Sequence, residues 1–177
     1  MVSLIYIFWM YVILFAIVGA MRGWAKELLV SFSVILSLAL NHVLKKYIPV
    51  VSELPIESTT LFWIRALITI GLVYFGYQTV ASIPHLAARA ARERLQDSLF
   101  GIFLGALNGY LISGTVWFYL SEAGYPFDKV ISAPQAGSAL EKAISLMMQW
   151  MPPHILGEPG IYFAVILASI FVIVVFI

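Results

Sequence analysis

Five stretches of this 177-residue chain are apolar for long enough to cross a bilayer, and they constrain its fold before any motif is considered. Roughly 30 Å of hydrocarbon, at about 1.5 Å per helical residue, takes about twenty residues to cross. Runs near that length predict helices at Leu4–Ala20, Leu28–Leu44, Leu61–Ile83, Leu99–Leu120 and Ile161–Ile177. With 62% hydrophobic and only 11% charged residues, a soluble domain of this size could not hide the surplus inside one core. The expected fold class is an all-α integral membrane protein, a polytopic helical bundle of about five transmembrane helices plus one interfacial amphipathic helix. Its first expected partner is the lipid bilayer.

The runs divide the chain into a four-helix region over residues 1–120, a mixed connection over 121–160 and a fifth helix over 161–177. The first apolar run starts at once, without a basic segment before it or a small-residue cleavage pattern after it, so it is expected to remain in the mature protein. The last run reaches Ile177 with no polar residue behind it. A terminal carboxylate in hydrocarbon is costly, which predicts that the helix reaches the far interface or that a soluble segment follows.

The connections carry helix signals. Ser58, Thr59 or Thr60 is placed to cap the third helix, and Asp97 or Ser98 the fourth. In "SALEKAISLMMQWM", Ser138 and Glu141 have capping-box spacing. There Leu140, Ile144, Met147, Met148 and Met151 share one side, with Glu141, Ser145 and Gln149 on the other. This predicts the interfacial helix near 138–151, ended by Pro152-Pro153. Arg22, Lys26, Arg89, Arg92 and Arg94 gather in the first and third connections, against Lys45, Lys46, Lys129 and Lys142 on the opposite side. The bias places the first and third connections in the cytoplasm and the N-terminus outside.

Several function classes find no support. The chain has no cysteine, which excludes a thiolate metal site and a cysteine nucleophile. His42, His85 and His154 lie in separate segments without a carboxylate or second histidine at ligand spacing. There is no phosphate-cradling glycine loop and no nucleophile-elbow serine. A net charge of +1 gives no nucleic-acid footprint. The expectation is a non-enzymatic protein without metal or cofactor.

Three features remain. "GAMRGWAKELL" breaks the apolar N-terminal region with Arg22, Lys26 and Glu27. Arg22 follows the C-terminal end of one helix and Glu27 opens the next, where the helix dipoles favour their signs, and Gly19 and Gly23 permit a tight reversal. In "DSLFGIFLGALNGYLISG", Gly101, Gly105 and Gly109 recur every four residues, with Gly114 continuing the stripe. Such a face admits a neighbouring backbone, the usual source of close packing in lipid, or leaves a groove for a lipid or solute with Asn108 as its polar contact. Arg65 lies about a turn inside the third span, where it either snorkels or makes a structural hydrogen bond, or else contacts an ion or substrate. Gln78 and Thr79 on the same helix could serve either role. The arginines of "LAARAARERL" read as a topology and lipid anchor, each worth about 1 kcal/mol beside an anionic leaflet, or as a docking patch.

The charged corner with Arg22-Gly23 and Glu27, followed by the Asp97, Gly101, Gly105 and Gly109 series, resembles the colicin V production protein (CvpA) family over roughly residues 3–120. The resemblance implies a small bacterial inner-membrane protein, typically with four membrane helices, linked to colicin V production or export and to envelope homeostasis, with no agreed biochemical activity. A related membrane region anchors some extracytoplasmic trypsin-like serine proteases, but no protease residues are present here. The fifth span and the 121–160 connection depart from the family pattern, which raises the alternative of a structural or anchoring subunit in a larger membrane complex or a homo-oligomer. A small-solute or ion transporter with a polar path near Arg65, Gln78 and Asn108 is the third reading.

Overall fold

A computed structural model of the chain describes residues 4–79, 94–127, 131, 133–135 and 137–176. The protein is an all-α membrane helical bundle, with no strand among the described residues. The helices are α1 (Leu4–Arg22), α2 (Trp24–Tyr47), α3 (Pro49–Ser52), α4 (Thr59–Thr79), α5 (Arg94–Glu122), α6 (Ala139–Met148), α7 (Pro152–Ile155) and α8 (Gly160–Phe176). Helices α1, α2, α4 and α5 are long and apolar enough to cross a membrane, and α8 is a shorter apolar helix of 17 residues.

Helix α1 lies along α5, α2 packs between α4 and α5, and α8 rests on α2. Apolar side chains on the outer faces, such as Ile13 and Ile17 on α1 or Leu67 and Ile70 on α4, are exposed. That is the pattern of helices whose outer solvent is lipid. At one end, α6, α7 and the start of α8 close over the bundle. Ile144, Met151 and Ile161 there join Phe8, Phe62, Trp117 and Leu120 in the main core. A second apolar layer of Val30, Val34, Val73 and Leu111 fills the space between α2, α4 and α5.

Three boundary expectations are corrected. The first connection shrinks from Met21–Glu27 to Gly23 alone, because one glycine with φ 86° and ψ 158° reverses the chain between two complete helices. Asp97 and Ser98 do not cap the fourth helix. They lie a turn inside α5, and their side chains turn towards the α1–α2 corner. The α6 helix stops at Met148, and Pro152 and Pro153 open α7 rather than directly ending α6.

Ser138 does cap α6, its hydroxyl accepting from Glu141 N at 3.1 Å, while the Glu141 carboxylate reaches back to Gly137 N at 2.5 Å. Ser58 precedes α4, and its carbonyl accepts from Phe62 N at 3.1 Å. The end of the third helix beyond Thr79, together with His85, Arg89, Arg92 and Lys129, lies outside the described residues.

Candidate functional site

The corner and the glycine ladder meet at one end of the bundle. Gly23 adopts a backbone conformation reserved for glycine, and a Cβ there would lie 2.6 Å from Asp97 Oδ1. The Asp97 carboxylate fills that space and accepts from Trp24 N at 3.0 Å. An acidic group on α5 thus caps the amino end of α2, where the free amides and the dipole favour an anion. Ser98 donates to the Ala20 carbonyl at 3.1 Å, so α5 also holds the last turn of α1.

Below this cap the ladder lets α1 and α5 approach backbone to backbone. A Cβ on Gly105 would stand 2.9 Å from Gly19 Cα, and one on Gly109 2.8 Å from Val12 Cα, while one on Gly101 would strike the Gly19 carbonyl. Gly114 faces elsewhere, towards Pro152 and Met151.

Close approach brings Glu27 into a sealed polar cluster. Its side chain is 0% exposed and lies 3.2 Å from Arg22 Nε through Oε1. That pair is close enough for charge attraction but not aligned as a hydrogen bond. The other oxygen, Oε2, accepts from Asn108 Nδ2 at 2.8 Å and from the Tyr77 hydroxyl at 3.4 Å. Asn108 Nδ2 also donates to the Glu27 carbonyl at 2.9 Å, and its Oδ1 accepts from Ser31 Oγ at 2.6 Å. The Arg22 guanidinium lies 4.2 Å from the centre of the Tyr77 ring and donates to the Tyr77 carbonyl at 3.4 Å. Four helices are therefore joined through one carboxylate. A buried charge persists only when paired and hydrogen-bonded in this way.

A second cluster repeats the same four residue types at the opposite end. Arg65 Nη1 donates to Glu122 Oε2 at 2.6 Å, and the guanidinium lies 5.0 Å from the centre of the Tyr119 ring. Asn41 Nδ2 donates to Thr69 Oγ1 at 3.2 Å and to the Arg65 carbonyl at 3.3 Å. Here α5 supplies the carboxylate and α2 the amide, the reverse of the first cluster. This cluster opens into a cavity of about 550 Å³ between α2, α4, α5 and the α7–α8 segment.

Of the residues singled out in the sequence, the structure gathers Arg22, Gly23, Glu27, Asp97, Gly101, Gly105, Asn108 and Gly109 around one corner. Lys26 is half-buried and makes no ion pair among the described residues. Arg65 sits apart, and Gln78 is exposed, so Arg65, Gln78 and Asn108 do not line one path. Tyr77, Ser31, Asn41 and Glu122 were missed. One signal was available for Asn41: the chain has two asparagines, at 41 and 108, and both fall within apolar spans where an amide needs a partner.

Four long apolar helices clasped by two ion pairs make an all-α membrane helical bundle. Residues 5–139 match the family described as colicin V production protein. The chain belongs to that family, and the match reaches beyond the fourth helix into the connection that follows it. Neither a curated protein nor a solved structure matches the chain.

Proposed function

We infer that this is a non-enzymatic, multi-pass protein of the bacterial inner membrane that serves colicin-type export and envelope homeostasis, with the α1–α2 corner on the cytoplasmic side. The observation that carries this reading is the family match over residues 5–139, which takes in both the Arg22–Glu27 corner and the Asp97–Gly109 ladder. The geometry supports it by giving those residues one joint task. They hold α1, α2, α4 and α5 in a fixed arrangement around Glu27.

The test is complementation of a bacterial strain lacking its own family member, scored by colicin V secretion and by survival in detergent. The native chain should restore both, and Glu27→Leu should insert at normal levels yet restore neither. Full restoration by inserted Glu27→Leu, or none by the native chain, would count against the reading.

A role as a subunit of a larger complex is the second reading, favoured by α7 and α8, which lie beyond the family match over residues 5–139. The Gly101–Gly109 face is not the surface for it, since α1 already covers those glycines. Purification in mild detergent followed by mass determination separates the two: constant companion polypeptides support the subunit, and a clean monomer opposes it.

A further inference from the structure

The cavity beside Arg65 has features that the clasp alone does not need. Its floor is Asn41, 4% exposed, whose Oδ1 is buried without a hydrogen-bond partner among the described residues, although the Tyr119 hydroxyl approaches the same amide. An amide oxygen left in this state costs free energy that a hydrogen-bond donor from a ligand would recover. Beside it stands the Arg65 guanidinium. One of its nitrogens is engaged with Glu122, and its planar fork has further donors suited to an oxyanion.

At the rim, Lys45, Lys46, His42 and His154 surround the opening with Glu158. Lys46 pairs with Glu158, while His42 Nε2 stands 3.6 Å from the same carboxylate, beyond hydrogen-bonding reach. Lys45 binds the Leu54, Ser52 and Val51 carbonyls. The lining has three permanent cations against two carboxylates, so an anion entering it is attracted. Leu38, Phe118 and Leu156 supply apolar wall. The volume is within the range of about 300–1,000 Å³ usual for small-molecule sites.

The geometry points to a binding site for a phosphate ester that carries its own hydroxyl or ammonium donor, the phosphate meeting Arg65 and the lysine rim and the donor meeting Asn41 Oδ1. This inference is independent of the role proposed above. Two sources offer that chemistry: the head group of a glycerophospholipid, whose acyl chains would lie in the surrounding bilayer, and a free ester such as glycerol phosphate.

The experiment uses the full chain purified in detergent and stripped of lipid. Phosphatidylglycerol, phosphatidylcholine and free glycerol 3-phosphate are added separately, and binding is read by native mass spectrometry and by thermal shift. Phosphatidylglycerol should bind at least tenfold more tightly than phosphatidylcholine, whose quaternary ammonium has no N–H to offer Asn41. If the ester is taken free, glycerol 3-phosphate should bind instead, and that arm assigns the source. The double variant Lys46→Gln/His154→Gln changes only rim residues; it gives up the exposed Lys46–Glu158 pair and so should lower the melting temperature without ligand only slightly, while losing about tenfold in binding. Asn41→Leu removes the acceptor and should abolish the preference for a donor-bearing ligand. Equal binding of the two lipids, binding by none of the three probes, or full binding by the rim variant overturns the inference.

Discussion

The two ends of the bundle use the same four residue types to different effect. At the corner, Arg22, Glu27, Tyr77 and Asn108 are enclosed because glycines let α1 and α5 touch through their backbones, leaving Glu27 no route to solvent. At the other end Arg65, Glu122, Tyr119 and Asn41 are separated from solvent by side chains and by a cavity, and the ion-pair side chains keep 13% and 29% of their surface exposed. The difference teaches that an intramembrane ion pair is not one kind of object. Enclosed by backbone it is a clasp whose loss leaves a stranded charge; facing a cavity it has a second partner available, whether water or ligand.

The largest test replaces glycines at the two ends. In Gly105→Ala the new methyl meets the Gly19 backbone, which can move only by parting α1 from α5. A loss of about 3 kcal/mol or more is expected, at or above the upper end for overpacking. Gly114→Ala meets Pro152 Cδ at 2.9 Å and Met151 Sδ at 3.0 Å, and the short α7 segment can shift. It should cost about 1 kcal/mol or less. Unfolding of both variants in a mixed-detergent titration measures the gap; equal losses would remove the distinction between the two ends.

Next come the arginines. Arg22→Gln strands the buried Glu27 carboxylate, and breaking a buried pair costs about 3 kcal/mol. Arg65→Gln leaves Glu122 able to meet water in the cavity, so about 1 kcal/mol is expected. Adding Glu27→Gln should recover most of the Arg22→Gln loss, since the amide can still accept from Asn108 and no charge remains. A failure to recover would mean that Arg22 acts through its stacking on Tyr77 rather than through charge.

A smaller effect separates the caps. Asp97→Ala removes the cap on Trp24 and should cost about 1 kcal/mol of global stability, because this cap joins α5 to α2. Asp97→Asn should retain most of it. Ser138→Ala removes a cap internal to α6, and the expected result is local: faster hydrogen exchange in Ala139–Met148 with the global midpoint unchanged.

Apolar run length alone made the helical architecture legible, and the glycine spacing marked α5 as a close-packing helix. What the sequence hid was partnership. Asp97 and Ser98 read as a cap for their own helix, because capping is recognised from neighbours in sequence, whereas this cap acts across 73 residues. The dipole argument placed Glu27 sensibly at the start of α2 but could not show that Asn108, 81 residues on, would be its hydrogen-bond donor. Tyr77 and Glu122 were likewise invisible, since a tyrosine near the end of one span and a glutamate at the end of another look like interfacial residues until the helices are placed side by side.

The smallest expected effect concerns how α8 is held at the cavity end. Glu158 precedes α8, and the hydrogen bond from Lys46 on α2 holds its carboxyl below the ordinary value of 4.5, with a further bond from the Tyr162 hydroxyl. A carboxylate depressed in the folded state contributes stability that is present above its unfolded value and lost as pH falls through the folded one. Docking of α8 should therefore be unchanged between pH 7 and about 5 and should weaken only below about 4.5. The effect is small because the pair is exposed and screened by salt. Disulfide trapping between cysteines introduced on α2 and α8 would report it, and Glu158→Gln should abolish the pH dependence. Weakening that begins near pH 6, or that persists in Glu158→Gln, would overturn the assignment to this carboxylate.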